Sequence, residues 1–279
     1  MRLRLFHTDS GARIAYREHG TGRPLVLVHE AGLSHREFEP LCAQLEARHR
    51  LILCDLPGHG DSDDRPGPYY DPDTLALSLA AFCREVGGRA PCVAGHGLGA
   101  DLLLRAIELG TLTPGRLVLM PCRLHRPPGP LSAARRRRAR AVSVIAQLTP
   151  PPLGRRAIGV SARGDARRLT AAHVDAVDAL LRHATADLAA NPAHARAWAA
   201  VQLAQPRAAR TELLDLLPQI GCPVLLLWAD RDPEYPLRGA EEALDLLGDG
   251  LLRVLPGTGH LLTFDDPVGV ARELAAFCG

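Results

Sequence analysis

Eight short apolar runs, separated by helical periods, constrain this chain more than any other feature. The runs are Leu3–His7, Arg13–His19, Pro24–His29, Leu51–Asp55, Pro91–Ala94, Arg116–Met120, Pro223–Trp228 and Leu251–Leu255. Helical patterns alternate with them at Glu37–Ala47, Thr74–Val86, Gly99–Glu108, Ala240–Leu247 and Pro267–Cys278. Near-continuous apolar strands between helices predict an α/β fold: an eight-stranded, mostly parallel sheet covered by helices on both faces. The first two runs, joined across Ser10-Gly11, read instead as an antiparallel hairpin at one edge. After Arg116–Met120 the strand pattern stops, and alanine- and arginine-rich helical periods such as Thr170–Ala190 take over, bounded by Pro150-Pro-Pro152 and Pro206. So long an interruption predicts an inserted helical cap over residues 123–210, with residues 1–122 and 211–279 forming the core.

Composition narrows the class further. At 279 residues and 47% apolar, the chain suffices for one large domain with an insertion. The first ten residues lack an apolar signal region, and no stretch approaches a membrane span of about 20 apolar residues. A cytoplasmic protein is therefore expected, and its seven cysteines, which show no C-x-x-C spacing, are expected to be reduced core residues. Net charge is only +2, yet residues 123–210 carry 16 arginines against 4 aspartates. Without interleaved aromatics this pattern argues against nucleic acid; the run Arg135 to Arg138 reads as a solvated helix face, with an acidic partner protein as the alternative. The 12 histidines show no metal-ligand spacing, and no dinucleotide fingerprint occurs, so no metal and no cofactor are expected.

Five short motifs follow in order. His29-Glu30-Ala31-Gly32 follows the third strand, and Asp55-Leu-Pro-Gly-His-Gly-Asp-Ser62 follows the fourth. Val93-Ala94-Gly95-His96-Gly97-Leu98-Gly99 has the frame of a strand-to-helix elbow, G-x-S-x-G, with glycine in place of the attacking serine. Trp228-Ala-Asp-Arg-Asp232 and Pro256-Gly-Thr-Gly-His260 complete the set. In this order the motifs resemble those of the α/β-hydrolase superfamily, in its capped branch of esterases, epoxide hydrolases, dehalogenases and C–C hydrolases. The resemblance runs nearly the whole length of the chain.

The resemblance implies that His260 is the general base and Asp232 the carboxylate that orients it, with Asp230 as the rival acid. It implies an oxyanion hole made by the backbone N–H groups of Leu98 and Ala31. Gly97 relaxes the elbow, whose backbone costs a side-chain-bearing residue about 1–3 kcal/mol, and leaves the nucleophile position vacant. Glu30 stands where relatives carry glycine and is expected either to anchor backbone or to take part. His29, Glu30, His96, Cys122 and His125 are candidates for the pocket region, and Asp101, Cys122, Ser34 and Ser62 are the candidate substitutes for the missing nucleophile. The expected activity is hydrolysis of a reactive ester, lactone or epoxide by water held at the vacancy, or a base-catalysed elimination or cyclisation, on a small, largely apolar substrate. Alternatives are a non-catalytic ligand-binding or interaction protein and a serine hydrolase disabled by an engineered serine-to-glycine change.

Overall fold

The computed structural model describes residues 2–8, 11–63, 70–124, 130–203 and 214–279. Its eight strands are β1 (Arg2–His7), β2 (Arg13–His19), β3 (Arg23–Val28), β4 (His49–Cys54), β5 (Cys92–Gly95), β6 (Arg116–Leu119), β7 (Val224–Ala229) and β8 (Gly250–Leu255). They form one sheet in the order β1-β2-β4-β3-β5-β6-β7-β8. β1 and β2 pair antiparallel, as do β2 and β4, and every later pairing is parallel. β5 and β7 are buried along their length and β3 from Leu25 to Val28, as strands covered on both faces must be.

The helices are α1 (Cys42–Leu45), α2 (Pro72–Gly87), α3 (Leu98–Glu108), α4 (Pro130–Leu148), α5 (Pro151–Leu169), α6 (Val174–Ala184), α7 (Pro192–Leu203), α8 (Leu237–Leu244), α9 (Leu262–Asp265) and α10 (Pro267–Cys278). The helix expected over Glu37–Ala47 is instead a 3-10 turn, His35–Leu41, followed by the single α-turn α1. Pro40 inside that turn has no N–H to give to a helical ladder, which explains the break. The period read over Thr170–Ala190 shortens to α6, because Thr170 Oγ1 accepts the N–H of His173 at 2.9 Å and starts the helix late.

Helices α4 to α7 lie between β6 and β7 and pack in two apolar clusters. Ala139, Val142, Ile158 and Trp198 belong to one. The other joins Leu169, Val177 and Leu181 to Leu33 and Leu261, from the loops after β3 and β8. The boundary expected at 210/211, Pro206 and His125 lie outside the described residues. So do the side chains of Arg135 and Arg136; Arg137 is exposed, and Arg138 pairs with Asp165.

One cysteine expectation is corrected. Cys92 on β5 and Cys278 at the end of α10 form a disulfide, and the other five cysteines are free and buried. The strand pattern correctly buried Cys92, but sequence spacing gives no hint of a partner 186 residues away.

Candidate active site

The site sits at the carboxyl ends of β3, β5, β7 and β8, where loops leave the sheet. Gly97 occupies the turn between β5 and α3 with φ 48° and ψ −114°, a left-handed conformation that side chains rarely adopt. Its N–H donates to Pro121 at 3.0 Å. Gly99 lets α3 close on β3: a Cβ there would stand 2.3 Å from the carbonyl oxygen of Val28.

The position expected to be vacant is filled. A Cβ on Gly97 would lie 1.4 Å from Oε2 of Glu30, so the carboxylate of the β3 loop takes up the volume of the missing serine side chain. Its other oxygen, Oε1, accepts the N–H of Ala31 in a very short hydrogen bond and that of Leu98 at 3.4 Å. The two amides expected to form an oxyanion hole thus converge on a glutamate oxygen. Water held above Gly97, the mechanism read from the sequence, has no room while Glu30 stays in place.

His260, fully buried in the loop after β8, sits against this carboxylate. Its Nδ1 lies 2.9 Å from Asp232 Oδ2, and its Nε2 lies 3.4 Å from Glu30 Oε2. Asp232 is itself fixed, because its Oδ1 accepts the N–H groups of Glu234 and Tyr235 at 2.7 and 3.0 Å. Asp230 is exposed to solvent. Burial opposes charging His260, but Asp232 and then Glu30 outweigh it and raise the imidazole pKa to about 10. Burial also works against the charge of Asp232, yet His260 and the two amides hold its pKa below the usual carboxylate value. The imidazole is therefore held between the carboxyl groups of Asp232 and Glu30, which favour its charged form.

A second buried pair lies alongside. The His96 ring stands 4.5 Å from that of His260, and its Nδ1 makes a very short contact with Glu37 Oε1. Glu37 Oε2 accepts the N–H of Glu30 at 2.8 Å, so one side chain steadies both the Glu30 backbone and the His96 ring. Glu37 was not singled out in the sequence, where it reads only as the start of a helical period.

The other histidines of the motifs are structural. His29 Nε2 accepts the N–H of Leu56 at 2.9 Å while Nδ1 faces the Glu30 carbonyl at 2.8 Å, so it ties the β3 and β4 loops together and is absent from the cavity lining among the described residues. His59 does the same for Gly32, whose N–H it accepts at 2.9 Å. Burial lowers the pKa of both, that of His59 to about 3, and keeps them neutral acceptors.

The substitute nucleophiles are otherwise engaged. Ser34 caps the 3-10 turn, Ser62 bridges Ala15 and Asp55, and Asp101 accepts the N–H of Arg123 at 3.2 Å. Burial pushes Asp101 up to about 7 and the Cys122 thiol well above its ordinary range. Cys122 belongs to the main core cluster with Leu98 and Leu124 and, among the described residues, does not line the cavity.

That cavity is narrow, about 20 Å³, and lies over Glu30 and His260 beneath the inserted helices. Trp198 and Gln202 of α7 also line it, and Trp198 Nε1 is buried with no hydrogen-bond partner among the described residues. The arrangement can offer a carboxylate oxygen, a proton on an adjacent imidazole and a waiting N–H donor within one enclosed space.

A parallel sheet whose loops gather an elbow, a histidine and its carboxylate at one edge defines a protein of the α/β-hydrolase type. The chain belongs to the alpha/beta hydrolase family, whose model matches residues 25–273. It is 27% identical over 245 residues, 86% of this chain and 81% of the relative, to the magnesium-chelatase 30 kDa subunit of Rhodobacter capsulatus. Among solved structures, an alpha/beta hydrolase fold protein from Burkholderia ambifaria superposes with a TM-score of 0.80 at 25% identity, covering 98% of this chain and 97% of that one. A thermophilic esterase from Thermogutta terrifontis superposes at 0.78 and 23% identity, over 99% and 97% of the two chains, which shows the shared fold.

Proposed function

We propose that this protein is a hydrolase in which Glu30 takes the place of the elbow nucleophile and His260, oriented by Asp232, moves the protons, with an epoxide of a small apolar molecule as the substrate class. The reading is carried by one observation: Glu30 Oε2 occupies the space of a side chain at position 97 while Oε1 is held by the N–H groups of Ala31 and Leu98. Direct attack of water on an ester carbonyl is disfavoured, because the amides that would hold its oxyanion are already engaged and the imidazole starts protonated, an acid and not a base.

The chemistry closes in two halves. In the first, Oε2 attacks a ring carbon, the C–O bond of the epoxide breaks, and the released alkoxide takes the Nε2 proton of His260. In the second, the now neutral imidazole removes a proton from water as its oxygen bonds to Cδ of the glutamyl ester. The negative charge then falls on Oε1, which Ala31 and Leu98 stabilise. Collapse expels the diol with the former Oε2, protonated by His260, and the remaining carboxyl proton returns to the imidazole. Trp198 Nε1 supplies a donor for the alkoxide, and α4 to α7 act as the cap over the pocket.

A single turnover of an epoxide panel in water enriched in ¹⁸O, with chelator present, tests this directly. One heavy oxygen is expected in the peptide that carries Glu30, with unlabelled diol. Label in the first diol instead sinks the covalent role and leaves direct hydrolysis by water; no turnover of any epoxide leaves a ligand-binding protein.

A further inference from the structure

Three buried side chains from separate loops converge beneath the cavity: Glu30 after β3, His96 before the elbow glycine and His260 after β8. One ligand atom from each lies within 4.8 Å of the other two. No local spacing marks this group, since its members are far apart in the chain.

We propose that Glu30, His96 and His260 form a three-ligand binding site for a divalent transition-metal ion of the zinc class. Two imidazoles and one carboxylate are a donor set that suits such an ion while leaving a coordination position open. Four ligand atoms set tetrahedrally around an ion at about 2.1 Å stand about 3.4 Å apart. Glu30 Oε2 and His260 Nε2 are already separated by 3.4 Å, so only the third ligand has to close in.

The second observation is the state of the two rings. His96 Nε2 is buried with no hydrogen-bond partner among the described residues, and His260 Nε2 faces Glu30 Oε2 at 3.4 Å. Each ring is meanwhile gripped at its other nitrogen by a carboxylate, Glu37 for His96 and Asp232 for His260. A carboxylate behind an imidazole holds a proton at Nδ1, orients the ring and strengthens Nε2 as a ligand once a metal ion displaces the proton there. Two rings held alike, with the Glu30 carboxylate within 4.8 Å of a nitrogen of each, are a prepared ligand set. Glu30 and His260 line the cavity together with Trp198 and Gln202, so an ion on them would be reached from that space. A bound ion would take both atoms the covalent route uses, Oε2 and Nε2, so metal and substrate exclude each other.

Titration of the metal-free protein with Co²⁺, followed by visible absorption, tests the site without any substrate. We expect one equivalent to saturate it and to give the strong bands of a low-coordinate N/O site. His96→Ala should weaken binding at least tenfold, and Glu37→Gln, which leaves all three ligands, about 10- to 100-fold. His183→Ala, on the surface, should change nothing. Zn²⁺ should raise the melting temperature of the parent protein and not that of the ligand variants. Should His96→Ala fail to fold, His96→Gln replaces it. Absence of the bands in the parent protein, or their survival in a folded His96 variant, overturns the site. The ¹⁸O experiment runs in chelator, so either proposal can fail alone.

Discussion

Oε2 of Glu30 and any side chain at position 97 compete for one volume, which makes the two residues a coupled pair. Gly97→Ser alone would place its Cβ against the carboxylate and a side chain on a left-handed backbone, and should cost about 2–4 kcal/mol with little activity gained. Glu30→Gly alone removes the carboxylate and should abolish epoxide turnover. Both together should recover about 0.5–3 kcal/mol relative to the sum of the single changes. The double variant should also hydrolyse a simple aryl ester, because His260, Asp232 and the two amides would face a serine again. Strict additivity in a urea-unfolding cycle would mean that the two positions do not share the space.

At the level of elements, the loop that carries His260 depends on the inserted helices. Asp265 in α9 accepts the N–H groups of Gly259 at 2.7 Å and Ala171 at 2.8 Å, and also pairs with the Thr170 hydroxyl. Asp265→Ala leaves these donors unmatched, and thermal unfolding should report a loss of about 1–3 kcal/mol; an unchanged melt would show the loop is held by packing alone. The central strands were legible because strands covered on both faces must be apolar, as LILC and VLLLW are, whereas the outer strands β1, β2 and β8 showed as short runs interrupted by arginine or other polar residues. The helix start at Glu37 was not, because Pro40 outweighs a favourable period. In the site, motif order was enough to place His260, Asp232, Leu98 and Ala31 near one another. What escaped was where a side chain goes once it leaves its loop: Glu30 was legible as an oddity, but only three-dimensional packing puts its carboxylate over Gly97, and Glu37 gave no signal at all.

Across the whole molecule, buried titrating groups pull stability in opposite directions with pH. His260 has a raised pKa, so its contribution is fully present below about pH 6.5 and fades as pH rises toward about 10. His29 and His59 have lowered pKa values, so theirs is lost as pH falls below about 6.5, for His59 down to about 3. Urea midpoints measured from about pH 5 to about pH 10 should therefore peak near neutrality. His260→Gln should flatten the alkaline side alone, and an undiminished alkaline slope in that variant would contradict the assignment.

The interlock of Glu30 with Gly97 also bears on ancestry. On the proposed route, a lineage with this pair does not reach serine chemistry by one substitution, since Gly97→Ser alone meets the Glu30 carboxylate and Glu30→Gly alone brings no hydroxyl. Descendants are therefore expected to keep or exchange both residues together, leaving a paired signature at two positions that lie far apart along the gene.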